Sequence, residues 1–145
     1  MRSMPVYSYV RLSVMVVACL LTLLVQSNAV SQTYRSGQNL QPVFEGWEQN
    51  PDGSFNMVFG YLNRNYEEHL NIPVGPDNFL EPGDPDRGQP AYFYPRRQRF
   101  VWRVRVPADW GDQELVWTVT AHGRTDRAVG WLVPEQIIDE QVVAM

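Results

Sequence analysis

A dense group of potential metal ligands lies in "VGPDNFLEPGDPDRGQP", residues 74–90, where Asp77, Asn78, Glu81, Asp84 and Asp86 offer side-chain oxygens. Turns in the same stretch would add backbone carbonyls, and calcium favours oxygen-rich loops of this kind. "DPDRG" (84–88) echoes the opening of a calcium loop. It lacks the third acid and the distant bidentate Glu, and Pro85 stiffens it. Calcium on Asp77, Asn78, Asp84 and Asp86 is one reading. The reading we prefer is a rigid surface crossover between two sheets, in which Pro, Gly, Asp and Asn serve as turn formers. Its acids would then pair with arginines further along the chain.

Those arginines follow in "PRRQRFVWRVR", which places Arg96, Arg97, Arg99, Arg103 and Arg105 within ten residues. They could form a patch for an acidic polysaccharide or a phosphate-bearing partner. They could equally be a solvent face whose charges pair with acids on neighbouring strands, and this is the preferred reading. Five tryptophans raise a third possibility, a stacking platform for sugar rings. Trp102 and Trp117 fall on inward faces and read as core, which leaves Trp47, Trp110 and Trp131 for such a role.

The parts of a catalyst are missing. His69 and His122 have no Cys or His neighbour at zinc-ligand spacing. No Gly-x-Ser-x-Gly elbow and no phosphate-binding glycine pattern occurs. Glu67 and Glu68 are adjacent, so on a strand they point to opposite faces and cannot act as a carboxylate pair. Cys19 is the only cysteine, and it lies in the apolar run near the N-terminus. A non-enzymatic protein is expected.

Arg2 and Arg11, the apolar run Leu12–Val25 and the small residues "SNA" (27–29) have the layout of a secretory signal helix cleaved after Ala29. The expectation is export to the periplasm, the cell surface or the medium. The alternative is a membrane anchor formed by Leu12–Val25, and this segment would then be the protein's one membrane contact. Beyond Ala29 there are ten arginines, no lysine and sixteen acids, a net charge of −6. That balance argues against nucleic acid as a partner and leaves a protein or a glycan.

The elements that must position these residues are strands. Residues 30–41 read as a flexible lead-in, 42–134 as the folded domain and 135–145 as a tail or last strand. "NPDG" (50–53) between two apolar segments predicts a hairpin over residues 43–65. Short strands are expected at Glu68–Val74 and Ala91–Pro95. In "RFVWRVRVP" a period of two puts Phe100, Trp102, Val104 and Val106 on one face. In "ELVWTVTA" the inward set is Leu115, Trp117, Val119 and Ala121. His122-Gly123 is a tight turn leading to a returning strand. No segment holds helical periodicity for ten positions. The expected fold is all-β, an antiparallel immunoglobulin-like sandwich of seven to eight strands, with a small β-barrel as the alternative.

Phe44–Pro134 resembles a group of exported bacterial proteins without an established activity. The resemblance rests on Gly-Tyr-x-Asn-x-Asn (60–65), "IPVGPDN" (72–78), "PG" (82–83), "DRGQP" (86–90), "PRR" (95–97) and "WT" (117–118). It implies an exported β-sandwich module and brings no site residues; the reading preferred for the whole chain is a non-enzymatic structural or binding unit. The alternative is a carbohydrate-binding or accessory subunit of a hydrolase, or an unrecognised hydrolase.

Overall fold

The computed structural model describes residues 34–139, so the leader expected at 1–29 and the end of the tail, 140–145, lie outside the described residues. Eight strands occur among them: β1 (Leu40–Gln49), β2 (Phe55–Asn63), β3 (Leu70–Asn71), β4 (Asn78–Glu81), β5 (Tyr92–Phe93), β6 (Arg96–Val106), β7 (Leu115–Ala121) and β8 (Arg124–Gly130). Every strand pair is antiparallel. They form two three-stranded sheets, ordered β1-β2-β6 and β4-β7-β8, and the small pair β3-β5. None of these sheets closes into a barrel. No helix among the described residues is long and apolar enough to cross a membrane.

The turn at 50–54 forms as its residues dictate. Gly53 takes a φ of 86°, its N–H donates to the Asn50 carbonyl at 3.0 Å, and the Asn50 N–H donates to the Ser54 carbonyl at 2.8 Å. The Asp52 carboxylate accepts from the Ser54 hydroxyl at 2.7 Å and holds the loop shut. At the other hairpin, His122 and Gly123 both have positive φ (49° and 73°), the geometry that matches the twist of a two-residue connection. β7 buries Leu115, Trp117, Val119 and Ala121, as its alternation requires.

One core cluster gathers side chains from all three sheets. Trp117 meets Trp102 edge-on at 5.1 Å and Phe59 edge-on at 5.9 Å, and it stacks against Phe93 of the β3-β5 pair at 6.3 Å. One ring therefore joins all three sheets. β1 also contacts β7 and β8 of the other three-stranded sheet. A Cβ on Gly130 would stand 2.8 Å from the Phe44 ring, so this residue's lack of a side chain sets how closely β8 approaches β1.

Several boundaries differ from the sequence expectation. Order begins ahead of Pro42: Leu40 is fully buried in β1, and the N–H groups of Tyr66 and Glu67 donate to the carbonyls of Tyr34 and Arg35. The third and fifth strands shrink to two residues each. β6 does not alternate strictly. Its register jumps from Phe59↔Trp102 to Tyr61↔Gln98, which leaves extra residues on β6 and a positive φ at Phe100. Gly60 sits opposite this bulge, and a Cβ there would overlap the Gln98 carbonyl and the Glu45 carboxylate. In the tail, Pro134–Gln136 makes one 3-10 turn, and the Ile138 N–H then donates to the Trp47 carbonyl at 2.8 Å.

Candidate functional site

The arginine row divides into two kinds. Arg97 pairs with Glu45 at 2.6 Å across Gly60. Arg103 grips Glu48 with two bonds of 2.9 and 2.8 Å. Arg105 pairs with Asp52 of the first turn. These three are neutralised by β1 and the first turn, as the solvent-face reading expects, and the acids of the 74–90 loop take no part. Arg96 and Arg99 have no carboxylate partner among the described residues. The Arg96 guanidinium lies 3.7 Å from the centroid of the Tyr66 ring.

Glu48 is held below the ordinary carboxylate range, first by its hydrogen bonds from Arg103, and Asp52 first by the Ser54 side chain. A depressed folded value adds stability that is complete above the unfolded value, near pH ~4, and is lost as pH falls below it. The melting temperature is therefore expected to hold between about pH 5 and 7 and to fall below about pH 4.5. A Glu48→Gln/Asp52→Asn variant should start slightly lower and decline less steeply, because Asp52 is exposed and Glu48 only half-buried, so that each contributes little. Parallel acid melting profiles for the two proteins would refute this assignment.

The 74–90 stretch is not one uninterrupted crossover. β4 lies inside it and pairs with β7. Asn78, expected among calcium ligands, is completely buried. Its Oδ1 accepts from the Trp117 indole N–H at 2.9 Å, and its Nδ2 donates to the carbonyls of Ile72 (2.9 Å) and Pro90 (2.8 Å). Gln89, also buried, donates to the carbonyls of Asn78 (3.2 Å) and Pro85 (2.8 Å). The acids close local turns: Asp84 accepts from the Asp86 N–H, and Asp86 accepts from the Gly88 N–H. The Asp77 carbonyl accepts from the Thr120 N–H. Among the described residues no group of three or more His, Cys, Asp and Glu is placed to hold a metal ion. The Asn78 amide is thus engaged in the core, and Asp84 and Asp86 each close a local turn.

Of the tryptophans, Trp110 is buried with its N–H on the Gln113 carbonyl, and the Trp47 N–H bonds the Val133 carbonyl. Trp131 alone is well exposed, at 38%. The exposed ring cluster is a different one. Tyr92 and Tyr94 flank the buried Phe93 and stand 51% and 56% exposed. His69 lies across from Tyr94 on the β3-β5 pair, and the three ring centroids are 5.4 to 5.6 Å apart. His69 and Tyr92 are inclined by 35°, while Tyr94 stands at 71° and 83° to them. The centre of so small a triangle is about 3 Å from each ring, inside van der Waals contact, so the rings cannot cage a cation between them. What they offer is their outward faces and edges.

Two features fix this platform. Phe93 plugs into the core against Tyr61 (5.0 Å) and Trp117, and the Tyr61 hydroxyl accepts the Tyr94 backbone N–H at 2.9 Å. Burial pushes the Tyr61 phenol's pKa up, which keeps it protonated. Beside β3 runs a cleft of about 450 Å³ lined by Asn71, Val74, Asp77, Thr120 and His122, with His122 bonded to Glu68 at 3.1 Å. The sequence did contain a signal for the platform: "AYFYP" read as an edge strand puts two tyrosines on one outward face. No protein-family model, curated protein or solved structure matches the chain.

Proposed function

We propose that the protein is an exported, non-enzymatic β-sandwich of immunoglobulin-like form that binds a glycan through the His69/Tyr92/Tyr94 platform. The observation that carries this reading is the exposure of three mutually packed rings on a rigid two-stranded pair. Large exposed aromatics cost solvation, and their faces suit the C–H faces of a pyranose. Stacking of that kind needs no moving part.

Membership of the exported bacterial group follows as part of the proposal. Its signature residues have structural tasks here: Asn63, Asn65, Asn78 and Gln89 are all buried amides that tie loops to strands. Residues of this kind specify a fold, which is why the signature says little about a ligand.

The test is affinity gel electrophoresis against a panel of soluble polysaccharides, neutral and acidic. At least one should retard the protein, and Tyr92→Ala/Tyr94→Ala should abolish the retardation while leaving the melting temperature within about 3 °C, since truncating exposed rings touches no core. Retardation by none of the panel, or retardation that survives the double variant, sinks the reading.

A further inference from the structure

The platform continues into a cation. From Tyr92 to Arg96 burial alternates: Tyr92, Tyr94 and Arg96 are exposed, Phe93 is buried and Pro95 half-buried. The exposed residues therefore lie close along a single short segment, which passes from β5 into β6 through a positive φ of 69° at Arg96. Residues two apart are separated by no more than about 7 Å between Cα atoms, so the Arg96 backbone stands within one sugar ring's reach of Tyr94. The Arg96 guanidinium lies 3.7 Å from the Tyr66 ring centroid, a contact that favours one placement of the group, and it has no carboxylate partner among the described residues. Arg99, three residues on in the bulge, is also exposed and without an acid among the described residues.

The charge pattern is directional. The chain has sixteen acids, yet none lies between Asp86 and Asp109, a stretch with six arginines. Three of those arginines are consumed by Glu45, Glu48 and Asp52, while Arg96 and Arg99, which follow Tyr94 in the chain, have no carboxylate among the described residues. In a net acidic protein, two arginines without a carboxylate among the described residues favour a locally positive surface close in the chain to Tyr94. A pre-oriented guanidinium is suited to bidentate recognition of a carboxylate.

We infer that the platform takes an acidic polysaccharide, one whose pyranose rings carry carboxylates, with a ring on Tyr92 or Tyr94 and a uronate carboxylate on Arg96, supported by Arg99. This rests on the glycan-binding reading above and narrows it to a ligand class. A neutral glycan would leave Arg96 unused, and a bare polyanion would leave the rings unused.

The probes are polygalacturonate and alginate, methyl-esterified polygalacturonate (the same rings without charge) and linear polyphosphate (charge without rings), each titrated by calorimetry with the full chain. The expected result is binding of polygalacturonate or alginate, weakened at least tenfold by esterification and strongly by added salt. Arg96→Gln should weaken uronate binding about tenfold, with Arg99→Gln adding a smaller loss, and leave affinity for the ester unchanged; one such charge-assisted pair is of that order. Melting curves check that both variants fold. Equal binding of acid and ester, or Tyr-dependent binding of neutral glycans alone, overturns the uronate inference but leaves the glycan reading standing. Polyphosphate binding as tight as uronate binding, lost in Arg96→Gln but not in Tyr92→Ala/Tyr94→Ala, overturns both. Binding of neither uronate polymer overturns the inference outright.

Discussion

Asn78→Ala should destabilise the protein by about 3–5 kcal/mol, the sum expected from orphaned buried partners and a small cavity. The change removes the acceptor of the Trp117 indole N–H and the donor to two backbone carbonyls, all in a site closed to solvent. Water cannot easily replace these bonds, so each abandoned group bears its desolvation cost. For a domain near 100 residues the melting temperature should drop by roughly 15 °C or more. Asn78→Asp keeps an acceptor for Trp117 but loses both donors and buries a charge, so it should be no better. Urea unfolding of the three proteins measures this directly. A loss below about 1 kcal/mol for the alanine variant would mean the amide is not what holds the loop to the core. The same experiment bears on the calcium reading: were Asn78 a ligand and not a latch, its removal would be mild without the ion.

Gly46→Ala is the second large effect, expected at about 2–4 kcal/mol from backbone strain and overpacking together. Gly46 has a φ of 136°, a conformation side chains rarely adopt, at the point where β1 shifts register against β2. A Cβ there would run into the Gln136 backbone carbonyl and stand 2.9 Å from the Ile138 side chain. Gln136 is backbone and cannot swing away, so the segment after the 3-10 turn would have to lift off β1. Its anchors there are the Ile138 N–H on the Trp47 carbonyl and the parallel bridge at Ile137. Hydrogen exchange should therefore show loss of protection at Ile138 beyond the global destabilisation. Unchanged protection there, with near wild-type stability, would show that the glycine is incidental.

Local chemistry carries far in this chain. The "NPDG" turn, the His122-Gly123 turn and the inward set of β7 follow from residue type and a period of two, because each depends on neighbours within a few positions. The all-β class follows from the same evidence. β4 escapes it because its four residues are bracketed by prolines and turn formers, and they become a strand only by pairing with β7, some forty positions away. The bulge in β6 escapes it for a related reason. Strict alternation continues through Phe100 in the sequence, but the backbone yields where Arg97 and Glu45 meet over Gly60.

The candidate site divides the same way. From residue types alone came an arginine row and an acidic loop. Which arginines keep their charge for a ligand depends on where Glu45, Glu48 and Asp52 land, and that is set by the β1-β2-β6 pairing. Composition made Asn78 look like a cation ligand; its burial under Trp117 makes it a structural bond. The sequence by itself determined the long strands, two of their turns and a stretch of basic residues without acids, since periodicity and turn propensity act over a few residues. Only the tertiary structure decided which charges are cancelled and which rings face water, since both depend on partners brought together from distant parts of the chain.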